Sequence, residues 1–153
     1  MKLTPQTIPP PILFLSFALL MRMIAPIAPQ IMLPFNLRLG MVGLIVALAI
    51  IFGVGGLLAF KRARTTTSPF KGARAAALVT TGVYRFSRNP MYLALALLLV
   101  ALVFWLQAPL LFIGVAGFIW TMNHLQIRAE ENALQRLFGK AYQDYQARVC
   151  RWL

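Results

Sequence analysis

Acidic residues are scarce in this chain: three among 153, against fifteen lysines and arginines, for a net charge of +12. On a soluble domain such an imbalance would suggest a nucleic-acid surface, if the basic residues formed a stripe. They do not. Seven (Lys61, Arg62, Arg64, Lys71, Arg74, Arg85, Arg88) lie between two apolar runs and five (Arg128, Arg136, Lys140, Arg148, Arg151) come after the last run. That segregation is the positive-inside bias of cytoplasmic membrane loops, and no nucleic-acid partner is expected. Cys150 is the single cysteine, which excludes an internal disulfide. The single histidine, His124, occupies no recognisable motif position and reads as an interfacial helix residue, and no metal site is expected. Charge is missing from the longest apolar runs. A small proton- or cation-coupled transporter, the rival reading from another functional class, needs ionisable groups there.

Apolar residues, by contrast, make up 60% of the chain and give a mean hydropathy of +0.75, far above a soluble domain. A spanning helix needs about 20 mostly apolar residues, each rising about 1.5 Å through about 30 Å of hydrocarbon. Leu39 to Phe60, Met91 to Gln107, and Ala108 to Met122 meet that description. Ile12 to Ile27 reads as a fourth span, although Arg22 interrupts it and Pro26, Pro29 and Pro34 break the helical pattern at its end. Its competing reading is a signal peptide with Lys2 as n-region and small residues near Ala25 and Ala28, which the prolines ahead of Ile12 fit badly.

The expected fold class is therefore all-α: a polytopic membrane protein of one domain, residues 1–153, with about four transmembrane helices and both termini cytoplasmic. Gln107, Ala108 and Pro109 predict a tight hairpin between the last two spans, and Gly53, Gly55 and Gly56 predict close helix packing. Residues 63–72 read as a basic surface loop over the cytoplasmic mouth. Beyond Met122 the last span is expected to project from the bilayer as a continuous helix, with Gly139 as its stop. A second, amphipathic helix carrying Tyr142, Tyr145 and Val149 would then lie at the interface, its tyrosines at headgroup level.

The segment Thr80 to Tyr92, TTGVYRFSRNPMY, is polar, turn-forming and cationic, yet it runs directly into a span. Its side chains must sit at a membrane–water boundary, where a water-soluble cofactor can meet a lipid-soluble substrate. All three acids, Glu130, Glu131 and Asp144, belong to the same cytoplasmic layer. On an ordinary helix the adjacent glutamates would be a solvated face, with Glu131 pairing Arg128 for a few tenths of a kcal/mol. Beside Tyr84, Arg85, Arg88 and Tyr92 they supply complementary groups: arginines for a carboxylate, glutamates for an amine or ribose hydroxyls, and aromatic faces for a cation. Spacing alone supports an amphiphile-binding site and does not name a cofactor.

The blocks GVYRFSRNPMYLA (Gly82 to Ala94), Glu130–Glu131 and LFGKAYQDYQARVCRWL (Leu137 to Leu153), in that order, resemble the isoprenylcysteine carboxyl methyltransferase and phospholipid methyltransferase superfamily, integral membrane enzymes that use S-adenosylmethionine. The resemblance runs from about Leu78 to the end. It implies a cofactor-binding part over residues 78–153, with S-adenosyl-L-methionine held by Gly82, Val83, Tyr84, Arg88, Asn89, Pro90, Tyr92, Glu130 and Glu131. It also implies that Arg148 and Arg151 orient the substrate head group, with contact to lipid phosphate as their alternative role. Asn89 stands where the family usually has His, which excludes a His base there. Cys150 replaces the usual Pro, and the absence of a longer tail after Leu153 disfavours a prenylated protein end as substrate.

The implied activity is transfer of a methyl group to oxygen, nitrogen or sulfur of a lipophilic or amphiphilic acceptor, with membrane lipid as partner. Catalysis by alignment suffices for a carboxylate acceptor oriented by Arg148, whereas an amine acceptor would need a base, with Glu131 the candidate. The expected setting is a bacterial-type inner membrane, with cofactor site and C-terminus cytoplasmic. A membrane reductase of related architecture, or a non-enzymatic membrane subunit, is the alternative.

Overall fold

A computed structural model describes residues 8–63 and 77–153, so most of the expected basic loop lies outside the described residues. All regular structure among them is helical. Helix α1, Pro10–Ile24, begins on consecutive prolines, whose missing N–H groups fall in the first turn where no intrahelical acceptor exists for them. A 3-10 turn, Ala25–Ile27, ends it. Helix α2, Phe35–Arg62, has 28 residues and so is about 42 Å long, more than the hydrocarbon thickness. Helix α3, Pro90–Leu106, has 17 residues, about 25 Å.

The chain then turns at Gln107 and descends through a 3-10 turn (Pro109–Leu111), α4 (Phe112–Met122), a π turn (Asn123–Ile127) and α5 (Arg128–Phe138) as one continuous rod. Three continuous helical segments, Pro10–Ile27, Phe35–Arg62 and Pro109–Phe138, are long and apolar enough to cross a membrane, and α3 is a shorter apolar fourth. The last rod has 30 residues, about 45 Å, so its α5 end extends beyond a bilayer core entered at Pro109. Gly139 stops it with φ +51°, and the short helix α6, Lys140–Gln146, comes next. Val149, expected on that helix, lies beyond its end.

Helix α3 is the central post, packed by α1, α2 and α4. Small residues let α2 lie close along it. A Cβ on Gly53 would fall 3.3 Å from Ala94 Cβ, and one on Gly56 would fall 2.9 Å from Met91 Cγ. Gly55 gives the same room to Val83 in the turn Gly82–Arg85, where an added Cβ would meet Val83 Cγ1 at 2.8 Å. Met21 of α1 is buried against Gly114 of α4, and Phe17 meets Phe118 edge-on at 5.8 Å. The first apolar run is thus part of the core. Leu15, Leu19, Leu44, Ile51, Ile113 and Trp120 point outward, the apolar surface that a bilayer-facing bundle requires.

The predicted hairpin forms. Gln107 adopts a left-handed conformation (φ 56°) that a non-glycine residue rarely takes, and its surroundings hold it there. Arg38 Nη1 donates to its Oε1 at 3.0 Å, its Nε2 donates to Leu33 O at 3.3 Å, and its own carbonyl accepts from Ile31 N at 2.8 Å. The arginine is itself set over the rings of Phe35 and Trp105.

Candidate functional site

At the opposite end of the bundle a cavity of about 620 Å³ opens between α2 on one side and α5 and α6 on the other, with α3 as its floor. Its inner wall is apolar: Ala49, Ile50, Gly53 and Val54 of α2, Ala94 and Leu98 of α3, and Pro10 and Pro11 at the start of α1. Its outer end gathers Tyr84, Arg88, Asn89, Tyr92, Gln126, Glu130 and Glu131. Because α1, α2, α3 and the final rod alternate in direction, this is the end that also carries Lys61, Arg62, Arg85, Arg128 and Arg136.

The expected junction between residues 84–92 and 130–131 is made by direct bonds. Tyr92 Oη donates to Glu130 Oε1 at 2.6 Å, and Gln126 Nε2 reaches the same oxygen at 3.2 Å. Glu131 faces two guanidinium groups: Arg88 Nη1 lies 3.1 Å from its Oε1, and Arg151 grips both of its oxygens, Nε to Oε1 at 3.0 Å and Nη2 to Oε2. Both oxygens of Glu131 are therefore engaged by cations, an environment that suits a fixed anchor rather than the base expected for an amine acceptor. Arg88 is close enough to Glu131 for charge attraction but is not aligned to donate to it, and its Nε and Nη1 are buried with no hydrogen-bond partner.

The C-terminal segment fastens this layer. Arg88 N donates to Cys150 O at 3.0 Å and Asn89 Nδ2 to Arg151 O at 3.0 Å, while Ser87, fully buried, receives Asn89 N on its Oγ at 3.1 Å. Asn89 thus uses its side-chain donor to tie the turn to the tail. Tyr145 Oη donates to Tyr84 O at 2.7 Å, and Tyr84 meets Phe60 edge-on. Tyr142 and Tyr145, expected at headgroup level, are instead buried against the cavity, because α6 folds back under the Gly82–Arg85 turn. Burial pushes the phenols of Tyr84, Tyr142 and Tyr145 up, for Tyr84 and Tyr145 with a further push from a neighbouring tyrosine and for Tyr142 from Glu131, so near neutral pH they remain hydroxyl donors. The hydrogen bonds of Glu131 raise the Arg151 guanidinium, keeping it charged.

Several expected site residues lie elsewhere. Gly82, Val83 and Pro90 do not line the cavity: Gly82 turns the chain with φ +64°, Val83 packs on Gly55, and Pro90 is buried at the start of α3. Arg148 is exposed and bonded through Nε to Asp144 O of its own segment, away from the acidic pair. Arg151 approaches the cavity only through Glu131. His124 stacks on Trp120 at 4.4 Å on the outside of the rod. Gln126 and Ser87 were not anticipated. Gln126 carries a signal, since it precedes Glu130 by one helical turn, whereas nothing in its neighbours marks Ser87 as buried. Among the described residues no cluster of His, Cys, Asp and Glu is arranged to hold a metal ion.

Residues 37–141 match the phospholipid methyltransferase family. An uncharacterised protein of Haemophilus influenzae is 44% identical over 63 residues, which cover 41% of this chain and all of that protein. A protein-S-isoprenylcysteine O-methyltransferase of Dictyostelium discoideum is 35% identical over 72 residues, 47% of this chain and 30% of that one. Protein-S-isoprenylcysteine O-methyltransferase B of Arabidopsis thaliana is also 35% identical over 72 residues, 47% of this chain and 36% of that one. The matched region is thus about a third of each of these two methyltransferases. No solved structure matches significantly.

Proposed function

The chain belongs to the phospholipid methyltransferase family, and on that premise we propose that this integral membrane protein is an S-adenosylmethionine-dependent methyltransferase acting at the membrane interface on a lipophilic or amphiphilic acceptor. The observation that carries the reading is Arg88, whose guanidinium sits at the polar end of a cavity whose other end is apolar, its Nη1 paired by charge with Glu131 and its buried Nε left without any partner. A carboxylate oxygen would satisfy that Nε donor, and the cofactor carries a carboxylate. When bound, S-adenosylmethionine supplies a methyl group already activated on a sulfonium.

The residues present fit that group. Arg88 would hold its carboxylate. Glu130, set by Tyr92 and Gln126, would accept from its amine or ribose hydroxyls. Tyr84, Tyr142 and Tyr145 would present ring faces and hydroxyls to its cationic end. Gly82, Val83 and Pro90 shape the turn that carries Tyr84 and Arg88, and Asn89 ties that turn to the tail. Glu131 and Arg151 would act by holding Arg88 and the acidic pair in place. Arg148, turned outward, would contact lipid phosphate.

The chain's contribution to rate is alignment, worth several kcal/mol when reacting atoms are held about 3 Å apart. The apolar wall of α1, α2 and α3 would take the acceptor's tail and leave its nucleophile at the polar end. The basic residues at that end support a cytoplasmic location for it. Calorimetric titration of the purified protein with S-adenosylhomocysteine tests the reading. Saturable binding, weakened by Arg88→Gln, is expected; no binding at millimolar ligand to folded protein would overturn it. Labelled methyl incorporation into membrane extracts would then identify the acceptor.

A further inference from the structure

The rod that carries Glu130 and Glu131 changes phase just before it reaches them. Up to Met122 its buried positions recur at three and four residues: Leu111, Val115, Phe118, Met122. The next fully buried position is Ile127, five residues on, and the cavity-lining Glu130, Glu131 and Leu134 continue in step with it. The π turn Asn123–Ile127 absorbs the extra residue. One inserted residue rotates everything after it by about 100°. In an unbroken α-helix Leu125, which is exposed here, would take the buried position, and the acidic pair would swing out of the cavity.

A π turn is a rare conformation, and its surroundings must favour it. The contact that singles this one out comes from the tail. Trp152 Nε1 donates to Asn123 Oδ1, at the first residue of the π turn, at 3.1 Å, and the indole packs on the core cluster that contains Met122 and Ile127. The two residues before Trp152 are the ones that hold Arg88, Asn89 and Glu131. Arg151 alone is a poor gauge of helix phase, since its long side chain can track a carboxylate over a wide arc. A tryptophan with two side-chain torsions and one donor is a stiff one.

We propose that Trp152, acting through Asn123, is a positioning residue for the cofactor site: it holds the π turn that rotates Glu130 and Glu131 into the cavity. The ligand named in the test rests on the methyltransferase reading, whereas the geometry does not. The test compares wild type with Trp152→Phe, which keeps the ring and removes the donor, Asn123→Ala, which removes the acceptor, and Asn123→Asp, which restores one. Amide hydrogen exchange over residues 123–134 without ligand, S-adenosylhomocysteine affinity and the thermal midpoint are measured for each.

Trp152→Phe and Asn123→Ala are expected to speed exchange across the π turn and weaken affinity about three- to tenfold, the value of one hydrogen bond, with the midpoint lowered by no more than about 2–5 °C. The double variant should lose no more than either single one, and Asn123→Asp should retain wild-type exchange. Wild-type exchange and affinity in both single variants, or losses that add in the double variant, would overturn the proposal. If wild-type protein binds no S-adenosylhomocysteine, the methyltransferase reading falls, and the exchange measurement still decides the role of Trp152.

Discussion

Replacing Glu131 by Gln should cost far more than loss of a surface ion pair, and the structure indicates how much. The side chains of Arg88 and Glu131 are each only 12% exposed, and Arg151 is 33% exposed. At 3.1 Å and an effective dielectric near 20, the Arg88–Glu131 attraction is about 5 kcal/mol before desolvation is subtracted. Removing one member of a buried pair typically costs about 3–5 kcal/mol, because the other charge stays buried without compensation. Gln keeps the shape and one acceptor for Arg151, so about 3 kcal/mol is expected. For a domain of this size that corresponds to a thermal midpoint lower by about 6–12 °C, read by tryptophan fluorescence in detergent. Arg88→Gln alone should cost less, because it leaves Glu131 with Arg151. The double variant should then be better than the sum of the singles by about 1–3 kcal/mol. A loss under about 1 kcal/mol for Glu131→Gln, with additive singles, is the behaviour of a solvated pair. That result would refute the claim that this layer is a dry, mutually braced cluster.

Gly55→Ala should destabilise by about 1–3 kcal/mol in the same melt, because its Cβ would meet Val83 Cγ1 at 2.8 Å and a β-branched side chain is stiff at χ1. Gly43→Ala, with nothing within 4 Å, should be neutral or stabilising by up to about 1 kcal/mol. Tyr92→Phe removes the donor from Glu130 and should weaken S-adenosylhomocysteine about three- to tenfold by calorimetry, with the midpoint lowered by a few degrees while the protein stays folded. Arg148→Ala should leave both that affinity and the melt within about 0.5 kcal/mol of wild type, since the side chain is exposed and bonded only to its own segment.

The spans were legible because bilayer crossing is a demand on composition over about 20 residues, and Leu39 to Phe60 or Met91 to Gln107 meets it without reference to any neighbour. The hairpin was legible for the same reason, as was the meeting of Arg88 and Tyr92 with Glu130 and Glu131: once two segments are confined to one layer, polar groups of opposite sign have few other partners. Burial of Tyr142 and Tyr145 was not legible, because spacings of three and four describe an amphipathic helix without saying whether its apolar face meets lipid or protein. Arg148 and Arg151 show the same limit at finer scale. Both are basic residues of one tail, and the hydrogen bonds of Arg88 N and Asn89 Nδ2 to the carbonyls of Cys150 and Arg151 direct one inward and leave the other outside.

The π turn is the clearest case of a feature that local pattern hides. Reading Met122 onward at α-helical spacing puts Leu125 on the inner face, a plausible apolar residue in a plausible place, so nothing signals the extra residue. The signal exists only in combination. The acidic pair must face Tyr92 and Arg88, Phe118 and Met122 must face the core, and no unbroken α-helix satisfies both, because the two sets are out of phase by about one residue in 3.6. A helix required to serve a lipid-embedded core and a polar cavity mouth at once resolves that conflict with one inserted residue. The residue that makes the insertion tolerable can then come from anywhere in the chain, here from Trp152, 29 positions beyond the Asn123 it holds.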